Sequence, residues 1–199
     1  MNDYFIEHPI LMRAPKVGGK KSKSKGIWDT LILRPSEFKQ ISNMVSRKYE
    51  IIFSALLLTG MRYEELVRFR QHPEWFDGSF IHLPPETGQK KVKRQSPERW
   101  VRLSIAGKAM IKSLFDISLP SVESADQYIH YTFPLIEHFS VKSFRKTWES
   151  WLVFYYPGKE ILIAESQGHT SVIQFKHYLN MPFTDKDRLE MKDYVEGWA

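Results

Sequence analysis

Four short stretches of this chain carry side chains able to work on a phosphate. The first is Leu58-Thr59-Gly60-Met61-Arg62-Tyr63-Glu64-Glu65-Leu66, which sets an arginine at a helix start just after a glycine turn. The second is Lys142-Ser143-Phe144-Arg145, whose cations share a helical face at i and i+3. The third is Gly168-His169, and the fourth is Lys176-His177-Tyr178, with the tyrosine nine residues after His169. A phosphodiester resists attack because its oxygens are negatively charged, and the planar fork of arginine matches phosphate geometry. A tyrosine hydroxyl can form a covalent intermediate. Each stretch alone has a plainer reading. Arg62 by itself reads as a salt-bridged surface residue, His169 as a capping or core histidine, and Glu65 as a brace for its helix turn. His177 adjoins Tyr178 but points to a different helical face. Of the nine tyrosines, Tyr155 and Tyr156 lie upstream of His169, and Tyr194 falls in the C-terminal helix.

Elements must bring these stretches together. The chain has 199 residues, enough for one core plus an arm or tail. Hydrophobic residues make up 42% and charged residues 26%, as in ordinary globular proteins. A net charge of +6 favours a polyanionic partner, because phosphate contacts release counterions. There is no cysteine, which excludes disulfides and thiolate metal sites. No apolar run reaches membrane-spanning length, and residues 1–10 lack a signal-peptide stretch, so neither a membrane span nor secretion is expected and a cytoplasmic location is. His72, His82 and His130 have no metal-ligand spacing.

Residues 1–33 read as a basic flexible arm or linker. Lys16 to Gly26 runs KVGGKKSKSKG, with no apolar periodicity to offset ordering entropy. Its Lys20, Lys21, Lys23 and Lys25 are candidates for tracking a DNA backbone, and a solvated tail is the alternative. A helix is predicted from near Arg34-Pro35-Ser36, with Ser36 as N-cap and Phe38, Ile41 and Met44 at helical spacing. The run Ile51 to Leu58 is too apolar for a surface helix and is predicted core, with a short helix after it from Tyr63 to about Arg70. Phe80 to Leu83 and Trp100 to Leu103 read as strands of a small antiparallel hairpin, around a basic loop Gln89-Lys90-Lys91-Val92-Lys93-Arg94. A helix over Ile105 to Phe115 follows Ser104 as cap, and residues 116–139 are unassigned. A long helix from Ser140 to Phe154 presents Phe144, Trp148, Trp151 and Leu152 on one face, with Phe154 and Tyr155 also expected in the core. Further helices are predicted over Lys159 to Ser166, after Thr170-Ser171, and from Thr184, with Asp187 at the capping-box position. The fold class is mainly α with a small antiparallel β-hairpin.

Taken in order, these motifs resemble the catalytic domain of the tyrosine recombinases, the phage-type integrases. That family carries T-G-[LM]-R-x-x-E-L, a hairpin lysine, [HK]-x-x-R, G-H, and a tyrosine nine residues later. All five occur here in that order, over about residues 35–185. The lysine-rich hairpin followed by Glu98-Arg99-Trp100-Val101-Arg102-Leu103-Ser104 also looks like integrases of archaeal viruses and plasmids. The resemblance implies a site-specific recombinase that cleaves and rejoins double-stranded DNA without metal, ATP or other cofactor. Arg62 and Arg145 would clamp the non-bridging oxygens, and His169 would donate a hydrogen bond to one of them. Tyr178 would attack to form a 3′-phosphotyrosyl link, and a hairpin lysine would protonate the leaving 5′-oxygen. The chosen lysine is Lys91, with Lys90 and Lys93 as alternatives, and Arg94 joins the DNA-backbone contacts. Lys142 stands where many relatives have histidine and would contact the phosphate or help deprotonate the tyrosine. Self-association on DNA, as a tetrameric synapse, would accompany strand exchange, with the helix of residues 184–199 docking on a neighbour. Neither a membrane nor a small-molecule substrate is implied.

Two departures stand out. Gln167 precedes Gly168-His169 where relatives usually have leucine. Only about 35 residues precede the catalytic region, where family members usually carry a core-binding domain. A topoisomerase IB-like relaxing enzyme uses similar residues, and a DNA-binding protein without catalysis is the third reading.

Overall fold

The computed structural model describes residues 30–85, 98–169 and 183–199. Within these, helix α1 spans Pro35–Met44, α2 Arg47–Thr59 and α3 Tyr63–Gln71. A 3₁₀ turn at Pro73–Trp75 leads to strands β1, Phe80–Leu83, and β2, Arg99–Arg102. Then come α4 (Ile105–Phe115), α5 (Val122–Thr132), α6 (Val141–Tyr155), α7 (Glu160–Gln167) and α8 (Asp185–Val195). The mainly helical reading with one antiparallel β-pair holds.

Local chemistry sets the helix starts. Pro35 occupies the first turn of α1, where its fixed φ suits the helix and its missing N–H costs nothing. The cap therefore falls on Arg34, whose backbone N–H donates to Glu37 Oε2 at 2.7 Å, and not on Ser36 as predicted. Ser104 caps α4 by accepting from Gly107 N at 3.1 Å. Thr184 and Asp187 form the reciprocal cap of α8: Asp187 N donates to Thr184 Oγ1 at 3.2 Å, and Thr184 N donates to Asp187 Oδ2 at 2.7 Å. The aspartate makes the reciprocal bond that a longer acid usually makes at that position.

The core is built on α2 and α6. Ile52, Phe53, Leu56 and Leu57 of α2 are buried, and α2 packs against both α4 and α6. From α6, Phe144, Trp148, Trp151 and Leu152 are fully enclosed. Phe53 stacks on Phe144 with ring centroids 4.6 Å apart, and Phe38 meets Phe144 and Trp151 edge-on. Burying each such side chain contributes on the order of 2–3 kcal/mol. Phe154 and Tyr155, predicted core, are half-buried at its edge.

Three boundaries differ from expectation. Residues 31–33, read as arm, belong to the packed body: Leu33 is buried, its N–H donates to Thr147 Oγ1 at 3.0 Å, and its carbonyl accepts from Trp151 Nε1 at 2.8 Å. Strand β2 begins at Arg99 rather than Trp100, because pairing runs from Leu83↔Arg99 to Phe80↔Arg102 and Leu103 leads into the α4 cap. The unassigned stretch contains α5, which buries only Ala125 and Ile129 and so shows little periodicity. The helix predicted after Thr170-Ser171 lies outside the described residues.

The C-terminus closes over the body. Helix α8 packs on α1, α4 and α6, burying Met191 and Val195, and Trp198 beyond it is 2% exposed. Trp198 Nε1 donates to Arg102 O at 3.1 Å, and Ile105 N donates to Glu196 O at 2.9 Å. Among the described residues, no helix is long and apolar enough to cross a membrane.

Candidate active site

The site lies where α2 ends, α3 begins, α6 passes and α7 stops. Gly60 closes α2 at φ +60°, its N–H donating to Leu56 O and Leu57 O, and the chain turns sharply into Arg62. Arg62 caps α3. Its backbone N–H donates to Glu65 Oε2 at 2.7 Å and its guanidinium to Glu65 Oε1 at 2.8 Å. Glu65 thus braces the turn, as its spacing suggested. It also faces two further arginines: Arg99 NH2 at 2.6 Å and Arg145 NH1 at 4.0 Å.

Arg145 is held on three sides. It donates to Gly60 O at 2.7 Å, to Gln167 O, and through Nε to Glu149 Oε1 at 3.0 Å. Glu149, one turn along α6, is fully buried, and the same Oε1 lies 2.8 Å from His169 Nε2. Lys146 Nζ approaches its other oxygen at 3.4 Å. His169 is placed by Gly168, which ends α7 at φ +66° and lets the His169 N–H reach Ala164 O at 2.9 Å. Residues 62, 145 and 169, far apart in sequence, are thus gathered around two carboxylates.

Electrostatics follow from burial. Burial opposes ionisation of Glu149, but the His169 hydrogen bond and the charges of Arg145 and Lys146 outweigh it and bring its pKa down to about 2. Glu65 is likewise lowered against its burial, by Arg99, the Arg62 N–H and Arg145. For Arg99, burial dominates; together with Arg145 and Arg62 it outweighs the help of Glu65 and lowers the pKa to about 10. Arg62, Arg99, Arg145 and Lys146 together outnumber the two carboxylates, so the cluster keeps a surplus of positive charge for an incoming anion. Arg62 remains 42% exposed at its side chain, whereas Arg145 shows 11% and Arg99 3%. An open cleft of about 580 Å³ beside the cluster is lined by Arg99, Trp100, Arg102, Ser166, Gly168 and His169, among others.

Lys142 is exposed, with no hydrogen bond or ion pair among the described residues; Lys146, not Lys142, reaches Glu149. Tyr178, the hairpin lysines Lys90, Lys91 and Lys93, and Arg94 lie outside the described residues, as do Lys20, Lys21, Lys23 and Lys25. His72 and His82 pair with Glu74 and Glu98, and among the described residues no group is arranged to hold a metal. Sequence reasoning missed Arg99, Glu149 and Lys146. Arg99 shares the inward face of β2 with Val101, and Glu149 falls four residues after Arg145 on the buried face of α6. A charge at an inward position was the available signal.

No protein-family model and no curated protein sequence matches the chain. Solved structures do. The Tn1549 transposon integrase in complex with circular intermediate DNA matches with TM-score 0.62 at 12% identity, over 82% of this chain and 66% of that one. The same integrase with transposon right-end DNA matches with TM-score 0.59 at 12% identity, over 88% of this chain and 68% of that one. The XerA recombinase matches with TM-score 0.59 at 19% identity, over 82% of this chain and 64% of that one. The chain thus spans about two thirds of the solved chains it resembles. Its fold is that of the tyrosine recombinase catalytic domains.

Proposed function

We propose that the chain is a site-specific DNA recombinase that breaks and rejoins strands through a 3′-phosphotyrosyl link. The observation that carries this reading is the joining of Arg62, Arg145 and His169 through Glu65 and Glu149. Two rigid guanidiniums beside an imidazole suit the two non-bridging oxygens of a phosphodiester, whose charge grows in the transition state. In this reading Tyr178 Oη attacks phosphorus, the bond to the 5′-oxygen breaks, and a hairpin lysine, taken as Lys91, supplies the proton that oxygen needs. The tyrosyl ester conserves the bond's energy, so rejoining calls for neither ATP nor a metal. The basic arm and hairpin loop would contact the DNA backbone.

DNA-bound integrase neighbours support double-stranded DNA as the partner. Assembly of protomers into a synapse is part of the same reading. Since α8 is already covered by its own chain, such docking would use what α8 leaves outward, such as Leu189, 74% exposed. The narrower kinship with archaeal virus and plasmid integrases rests on the hairpin sequence, and a soluble protein of the cell interior is the matching location.

The test is covalent trapping. Purified protein is incubated with nicked suicide duplexes of randomised centre, and protein–DNA adducts are resolved under denaturing conditions and sequenced. Wild type should give an adduct and Tyr178→Phe none. Absence of any wild-type adduct sinks the enzyme reading, an adduct from Tyr178→Phe sinks the assignment of the nucleophile, and plasmid relaxation without recombinant products points instead to a relaxing enzyme.

A further inference from the structure

Arg99 is a third arginine in the cluster. It projects from β2, which pairs with β1, and its side chain is 3% exposed. One arm of its guanidinium donates to Glu65 Oε2 at 2.6 Å and the other to Gln167 O at 2.6 Å. Each acceptor is shared with one of the two candidate clamp arginines. Glu65 holds Arg62 by side chain and backbone, and Gln167 O also accepts from Arg145 NH2. The fork of Arg99 therefore spans the start of α3 and the end of α7, tying both to the hairpin.

This arrangement is costly as a packing device. The inward neighbour Val101 shows that an apolar side chain suits this face of β2. Burying a charge in place of a hydrophobe of similar volume is commonly neutral or unfavourable for stability. Here burial lowers the guanidinium's pKa, and its Nε finds no hydrogen-bond partner among the described residues. The backbone makes room for it at Gly168, where an added Cβ would stand 2.9 Å from Arg99 Cδ and NH1. What the charge contributes is a two-pronged tie that neither a hydrophobe nor a lysine reproduces.

We propose that Arg99 is a positioning residue for the phosphate clamp: by bridging Glu65 and the Gln167 carbonyl, it holds Arg62 and Arg145 in register with each other and with the hairpin. The proposal rests on the recombinase reading for the identity of the phosphate, but not for the geometry of the tie. Misplacement of the clamp by about an ångström would slow strand cleavage by up to roughly 100-fold. The loss should be confined to the step that neutralises charge on the non-bridging oxygens.

The test compares wild type, Arg99→Met and Arg99→Lys on the trapped duplex. Two versions of that duplex are used, one with an ordinary scissile phosphate and one with a neutral methylphosphonate there. Arg99→Met should cleave the ordinary diester roughly 10- to 100-fold more slowly, with little defect on the methylphosphonate, which offers the clamp less charge to neutralise. Arg99→Lys should recover only part of the rate. In parallel, ¹H–¹⁵N spectra of arginine Nε groups should show the Arg62 and Arg145 signals moving in Arg99→Met, while exposed Arg47, paired with Glu50, stays in place. Unchanged cleavage, an equal slowing on both duplexes, or unmoved Arg62 and Arg145 signals would overturn the proposal. If wild type traps no DNA at all, the recombinase reading fails, and the spectra alone decide the role of Arg99.

Discussion

Two buried carboxylates organise the candidate site at the scale of single residues. Glu149 carries the more extreme environment, with Arg145, His169 and Lys146 all turned toward it. Its folded pKa of about 2 lies below its ordinary 4.5, so the native state binds fewer protons than the unfolded one. The stabilisation is complete above about 4.5 and is lost as pH falls toward 2. Acid unfolding followed by circular dichroism should fall within that window. Glu149→Gln should unfold more easily at pH 7, by about 3–5 kcal/mol, because it takes from buried Arg145 the nearer of its two counter-charges. The variant should also lose part of the slope of stability against pH between 4.5 and 2; an unchanged slope would show that another group controls the transition. Gln167 presents the opposite case. It is fully buried, and its side-chain oxygen and nitrogen have no hydrogen-bond partner among the described residues. Its carbonyl, not its amide, serves the site. Gln167→Leu should therefore leave the carbonyl in place and raise stability by about 1–2 kcal/mol in urea titrations.

At the scale of elements, the site depends on where helices stop. Gly60 ends α2 in the left-handed region, and a Cβ added there would sit 2.3 Å from Gln167 Oε1. Gly60→Ala should cost about 1–2 kcal/mol from the backbone alone, with the steric clash adding to it. Because the clash is with one flexible side chain, shortening that side chain should relieve it. The double variant Gly60→Ala, Gln167→Ala should lose less stability than the two single changes summed, as a double-mutant cycle by chemical denaturation would measure. Strict additivity would place the cost entirely in the backbone. Helix ends were also what the sequence revealed best. Ser104 and Thr184-x-x-Asp187 announced the starts of α4 and α8, and Thr59-Gly60 the end of α2, because caps and left-handed turns are local chemistry. The start of α1 was misread by two residues, since Pro35 and Glu37 together cap on Arg34. Helix α5 went unseen because it buries too little to leave a periodic trace. Motif order singles out Arg62, Arg145 and His169 as candidates, but nothing in it names the residues that bridge them. The bond from Arg99 to Gln167 O joins residues 68 apart, and nothing local in either stretch points to the other.

At the scale of the whole molecule, the last seventeen residues determine how the body closes. Helix α8 covers α1, α4 and α6 of its own chain, and Arg34 pairs with Asp187 at 2.7 Å across the start of α8. Trp198 fills the far end, its ring enclosed and its Nε1 bonded to Arg102 O at the end of β2, next to the Ser104 cap. Removing so large a buried side chain leaves a void that the fixed backbone of β2 and α4 cannot collapse into. Trp198→Ala should therefore cost about 3–5 kcal/mol, seen as a fall in Tm of roughly 10 °C for a chain of this size. The same closure bears on assembly. If α8 is satisfied within its own chain, folding does not draw on a second copy, and Tm should not depend on protein concentration in the absence of DNA. Calorimetry over a hundredfold range of concentration checks this directly. A Tm that climbs with concentration would mean that in solution α8 is held by a neighbour, and the contacts of Met191, Val195 and Trp198 would then be made between chains rather than within one.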